Sequence, residues 1–252
     1  MPQPLRQQLK PKKLSDIILE QLENMIIEGS LQPGEKLLPE RELAKKFEVS
    51  RPSLREAVQK LEAKGLVTRK QGGGTFVTGT IMKSFSEPLF DLMANSNESQ
   101  FDLLEFRHGI EGMAAYYAAM RGTSADYDLI YEKHDQIGSS QLDNDFHLEA
   151  QAVYEFHMAI CAASHNAVIL HTSRSMSSLL IDNIEKNLTM LAKRPDVFSK
   201  ITDYRKNLLD VIMSGQPKKA WGASHSHFSF IEEVLLKLTQ ENSRMERSMR
   251  RM

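Results

Sequence analysis

Between Ser50 and Val77 the sequence changes its period. Leu54, Val58 and Leu61 recur at helical spacing until Gly65, after which 66–70 and 75–77 alternate around Gly72-Gly73-Gly74. A 3.6-residue repeat followed by a two-residue repeat broken by glycines predicts a helix and then a two-stranded hairpin. Upstream, Leu14, Ile17, Ile18, Leu22, Met25 and Ile26 predict a helix over 14–28, stopped by Gly29 and followed by a Gln32-Pro33-Gly34 turn. A second helix fits 39–47, with Leu43, Ala44 and Phe47 inward, and Glu48-Val49 forms a tight connection. Ser50 is placed to cap the third helix, 51–64, by accepting from its free N–H groups. Helix, three-residue turn, helix and hairpin together make a winged helix-turn-helix.

With Leu54, Val58 and Leu61 inward, Arg51 and Arg55 share another face near the start of the third helix. Arginine there can bond bidentately to guanine in a major groove. Glycines in the wing let backbone approach a phosphate without Cβ atoms between. The alternative is a solvated basic helix followed by an ordinary glycine turn, but both features in this order favour DNA. Charge is split in the same sense. Residues 1–80 carry 14 Lys+Arg against 10 Asp+Glu, a net of +4, and 81–252 carry 18 against 23, a net of −5.

The rest of the 252 residues reads as helix, and with 41% hydrophobic residues there is enough for a real core. A linker with one short helix fits 81–99. Helical patterns follow at 101–120, 124–138, 147–164, 167–192, 198–213 and 217–240, before a polar tail at 241–252 that reads as a solvated end. The expected architecture is mostly α: an N-terminal winged helix-turn-helix over 12–80 and a C-terminal all-α antiparallel bundle of six or seven helices over 100–240. No apolar run approaches the roughly 20 residues needed to cross a bilayer, and no apolar segment of the signal-peptide kind follows the basic start. The single cysteine, Cys161, reads as a small buried hydrophobe and fits a reducing cytoplasm. Nucleophile-elbow, Walker and HExxH patterns are absent from the sequence, so no catalytic residues are expected.

Four polar residues fall on apolar stripes of the predicted bundle: Arg107, His157, Tyr204 and His227. A buried guanidinium needs an anion, because an unpaired charge costs several kcal/mol to bury. That anion is either a carboxylate ligand, with the four residues lining one effector cavity, or a side chain such as Glu105 or Glu111.

The stretch "PGEKLLPERELAKKFEVSRPSLREAVQKLEAKGLVTRKQGGGTFV" resembles the DNA-binding domain of GntR-family transcription regulators over its whole length. The resemblance implies DNA contacts at Arg41, Arg51, Ser53 and Arg55, and at Gln71 and Gly72 in the wing. It departs at Leu38, where relatives often have proline, which bears on how the helix starts. "LLEFRHGIEGMAAYYAAMR", "FHMAICAASHN" and "KKAWGASHSHFSFIEEVL" are similar to the effector domain of the FadR subfamily. Many members hold a divalent metal there with one Asp and three His, beside a small carboxylate. The matching positions are Val153, His157, Tyr204 and His227, so two of the four ligands are missing and no metal or other cofactor is expected. Within the subfamily the chain resembles repressors of pyruvate dehydrogenase genes. That implies a cytoplasmic homodimer on a pseudo-palindromic operator of double-stranded DNA, released by a small carboxylate, with pyruvate the first candidate and no membrane partner. Two other readings stay open: a metal-dependent enzyme on small carboxylates fused to a DNA-binding domain, and a DNA-binding module with a purely structural bundle. Lactate or another organic acid could equally be the effector.

Overall fold

A computed structural model describes residues 12–70, 72–78, 97–141, 145–192 and 194–249. Two compact units divide the chain, 1–84 and 85–252. The segment 79–96, where a linker helix was expected, lies outside the described residues.

The front unit holds α1 (Leu14–Ile27), α2 (Glu40–Lys46) and α3 (Arg51–Ala63), then β1 (Val67–Lys70) and β2 (Gly74–Val77). Ile18, Leu22, Leu54, Leu61, Val67 and Val77 form its core. Leu14 and Ile17, expected on the inner face of α1, are 46% and 41% exposed. Neighbouring helical residues point about 100° apart, so a buried face centred on Ile18, Leu19 and Leu22 turns Ile17 to its flank. Ile18, Leu19 and Leu22 take the core side, and across the α1–α3 seam Lys60 Nζ lies 2.6 Å from Asp16.

Turn chemistry fixes where α2 and α3 end. Glu48 adopts φ +54, and its N–H and that of Val49 donate to the carbonyls of Lys45 and Ala44. This is a Schellman closure with glutamate where glycine is usual. The same pattern ends α3 at Gly65, φ +72, with Leu66 N–H on Leu61 O. Ser50 Oγ accepts from Ser53 N–H at 3.3 Å, the expected cap. The wing strands pair antiparallel with Val67 opposite Val77 and Lys70 opposite Gly74. A third segment joins them: Leu37 N–H donates to Thr75 O and Val77 N–H to Glu35 O, both at 2.8 Å. That pairing ties the wing to the start of α2.

The rear unit contains seven helices among the described residues: α4 (Asn97–Arg121), α5 (Ser124–Gln141), α6 (Phe146–Ala163), α7 (Ala167–Ser175), α8 (Ser177–Leu191), α9 (Pro195–Met213) and α10 (Pro217–Met249). Alanines 114, 115 and 118 on α4 are buried, and Ile130, Phe156 and Ile160 fill the same core. Asp145 and Asn166 cap α6 and α7. The single helix expected over 167–192 breaks at Met176, φ −102 and ψ 15, within Ser173, Ser175, Ser177 and Ser178, whose hydroxyls compete for backbone groups. The last helix runs past Gln240 to Met249, through the segment expected to be a frayed tail. Among the described residues no helix is long and apolar enough to cross a membrane.

Candidate DNA interface and buried polar cluster

The start of α3 presents Arg51, which is exposed, with Ser53 half-buried beside the cap. Arg55 is exposed too, but it is engaged: its Nε and one Nη lie 3.1 and 3.0 Å from the same carboxylate oxygen of Glu40 on α2. A solvent-exposed pair of this kind contributes about 0–1 kcal/mol, so Glu40 orients the guanidinium without holding it from a stronger anionic or base partner. Arg41 is exposed on α2. In the wing, Gly72 is exposed at φ +73, a conformation that favours glycine. Gln71 lies outside the described residues.

Two cations that motif reading passed over complete this surface. Lys36 and Lys70 sit 5.8 and 5.0 Å from the ring centre of Phe76. They line a cleft of about 410 Å³ between the wing and the start of α2, with Pro39, Glu40, Gly72 and Thr75. Lys70 could have been found from the Arg69-Lys70 step into the hairpin. Lys36 depends on the third sheet segment, which is too short to show alternation.

In the rear unit, three of the four predicted inward residues are buried: Arg107 is 4% exposed, His157 4% and His227 1%. The rings of His157 and His227 stack 6.1 Å apart. Tyr204 stays half-buried, its ring 6.3 Å from that of His227. The stripe of α9 is turned by one residue: Ile201, Arg205, Leu208, Leu209 and Ile212 are buried, so Arg205, not Tyr204, is the deep polar residue.

Arg107 has an internal partner. Its Nε donates to Glu111 Oε1 at 2.7 Å, and Glu111 Oε2 lies 2.5 Å from His157 Nδ1. Glu111 thus faces the guanidinium with one carboxylate oxygen and the imidazole with the other. Burial alone would raise the Glu111 pKa; Arg107 first, then His157, outweighs it and holds the carboxyl at about 2. Burial lowers both histidine pKa values despite Glu111 beside His157, with Arg205 adding to the effect at His227. A second buried pair lies nearby, looser than the first: Arg205 Nη1 and Glu149 Oε1 are 3.8 Å apart. In the same unit His157 Nε2, Arg205 Nε, Ser224 Oγ and His227 Nδ1 are buried with no hydrogen-bond partner. Four such atoms from three helices are unusual, since buried polar groups are nearly always satisfied.

The metal ligand set of the FadR subfamily does not fit this cluster. Val153 is buried and carries no donor atom, Tyr204 is a poor ligand for zinc, and His157 Nδ1 faces Glu111. Among the described residues no group of three or more His, Cys, Asp or Glu is arranged to hold an ion.

The titrations give a signed expectation for stability. Below the ordinary histidine pKa of about 6.5 the unfolded chain binds protons that folded His157 and His227 refuse, so stability falls as pH drops from there. Glu111 contributes stability that is present above its ordinary 4.5 and is lost as pH falls toward about 2. Thermal melts of the rear unit's transition should therefore decline from pH 6.5 to pH 4 and faster below. A flat profile over that range would contradict the buried, neutral histidines.

Comparison with known families resolves what these two units are. Residues 14–77 match the model described as bacterial regulatory proteins, gntR family, and 102–230 match the FCD domain. A regulatory protein named for the L-lactate dehydrogenase operon of Escherichia coli (strain K12) is 34% identical over 238 residues, 93% of this chain and 91% of its own. The chain belongs to the GntR family. Two further relatives of this GntR regulator with an FCD domain have similar reach. The HTH-type transcriptional regulator LutR of Bacillus subtilis (strain 168) is 32% identical, covering 86% of this chain and 99% of its own. The Glc operon transcriptional activator of Escherichia coli (strain K12) is 29% identical, covering 94% of each. All three are named for control of transcription, so the chain is a bacterial transcriptional regulator with a DNA-binding front unit and an effector-type rear unit.

Proposed function

We propose that this regulator is a homodimeric repressor that binds a pseudo-palindromic operator and is released when a small carboxylate enters the rear unit. Arg41, Arg51, Ser53, Arg55, Gln71 and Gly72 form the DNA surface, joined by Lys36 and Lys70. Arg107, His157, Tyr204 and His227 surround the effector. The observation that supports the effector is the set of four buried polar atoms without a side-chain partner in the rear unit, which a polar ligand would satisfy. The relative named for L-lactate dehydrogenase supports a 2-hydroxy acid. The resemblance to regulators of pyruvate dehydrogenase genes supports its 2-oxo counterpart, pyruvate. The competing enzyme reading has no metal ligand set to rest on among the described residues.

Thermal shift tests the effector. Pyruvate or L-lactate should raise the melting temperature, because a ligand that binds only the folded state stabilises it in proportion to RT ln(1 + [L]/Kd). No shift with either acid at millimolar concentration would leave the bundle a structural element. Light scattering tests the assembly: the mass should be twice the 28.7 kDa of one chain, since a two-fold dimer is what a two-fold operator requires. A monomer on DNA would contradict it.

A further inference from the structure

We infer that Arg205 on α9, not Arg107, receives the ligand carboxylate, by displacing Glu149, and that the ligand is a monocarboxylate carrying a 2-oxo or 2-hydroxy group. The inference rests on the effector reading above and names which charge in that site does the binding.

The two buried arginines differ in how well they are satisfied. Arg107 is held by Glu111 at 2.7 Å, within hydrogen-bond distance. Arg205 reaches Glu149 only at 3.8 Å, beyond it, and its Nε has no partner although the side chain is 5% exposed. Burial drives its pKa down to about 10, as expected of a guanidinium that is poorly compensated.

Glu149 has somewhere else to go. Its Oε1, the same oxygen that faces Arg205 at 3.8 Å, already accepts from Gln141 Nε2 at 2.9 Å. Gln141 and Glu149 line a cleft of about 350 Å³ with Asp145, Phe146 and Phe198. A shift of the carboxylate away from Arg205 that keeps its bond to Gln141 would free the guanidinium, whose planar fork matches a ligand carboxylate.

Charge balance fixes the class of ligand. The two buried guanidiniums are matched by two buried carboxylates. Moving Glu149 away from Arg205 leaves one positive charge in excess, which a monoanion neutralises and a dianion overshoots. The remaining unpartnered atoms, His157 Nε2, His227 Nδ1 and Ser224 Oγ, are neutral. Ser224 Oγ can donate to a 2-oxo group, and His157 Nε2, whose ring proton is on the Nδ1 that faces Glu111, can accept from a 2-hydroxyl.

Calorimetric titration of the full chain with pyruvate, L-lactate and succinate tests this. Glu149→Gln removes the internal competitor and should tighten binding of pyruvate or L-lactate at least fivefold. The double variant Arg205→Met/Glu149→Gln, which leaves no unpaired charge and so should fold, should lose binding by a hundredfold or more. Succinate should bind the wild type at least tenfold more weakly than the better monocarboxylate. Equal or weaker binding by Glu149→Gln, retained binding by the double variant, or succinate binding as tightly would each overturn the assignment while leaving the effector reading intact. A wild-type protein that binds none of the three acids would remove both.

Discussion

Replacing Arg51 with alanine is expected to lower affinity for the specific operator by ten- to a hundredfold or more, with the fold unchanged. Arg51 is exposed at the first turn of α3 and contributes nothing to the core. One bidentate arginine–guanine contact contributes about 1–3 kcal/mol of discrimination, and 1.4 kcal/mol is tenfold in affinity. A two-fold dimer carries the change twice. Arg55→Ala should lose slightly less, because wild-type Arg55 must first leave Glu40. Fluorescence anisotropy with the operator and with a scrambled duplex separates the contributions. Specific affinity should fall toward the scrambled value, and an Arg51→Ala protein with wild-type operator affinity would remove α3 as the reading helix.

Arg107→Met should destabilise the rear unit by about 3–5 kcal/mol, the usual penalty for removing one partner of a buried pair. Glu111 is 7% exposed and would be left facing His157 without its principal cation. The double variant Arg107→Met/Glu111→Gln should recover most of the loss, since no charge then remains unpaired. Denaturant unfolding of both variants reads the coupling directly. A single variant as stable as wild type would show that the Arg107–Glu111 pair contributes nothing. A double variant no better than the single would put the loss in packing against Phe228, whose ring lies 5.1 Å from the guanidinium carbon.

The front unit was legible because its signals are local. Ser50, Gly65 and the three wing glycines each mark a backbone event within a few residues, and the structure puts a cap, a helix end and a hairpin there. The segment that pairs with β2 through Glu35 and Leu37 was not, because its alternation spans too few residues. In the rear unit the helices were readable from their apolar period, but the break at Met176 was hidden inside a continuous pattern. The site was harder. Arg107, His157 and His227 showed themselves by standing on apolar stripes. On α9 the expected inward residue is Tyr204, and its buried neighbour Arg205 carries no motif that marks it. A helix rotation of about 100° decides between them, and no pattern in one sequence records it. Glu149 is legible only as the partner of Arg205, across two helices.

A small acid that enters the rear unit should change DNA binding by the front unit. The operator can be selected from a random duplex pool with the full chain, and its affinity measured by anisotropy as pyruvate or L-lactate is added. At least one acid should weaken operator binding tenfold or more, a coupling of about 1.4 kcal/mol between the two units. Operator affinity that stays constant with both acids, at concentrations that shift the thermal melt, would contradict the coupling.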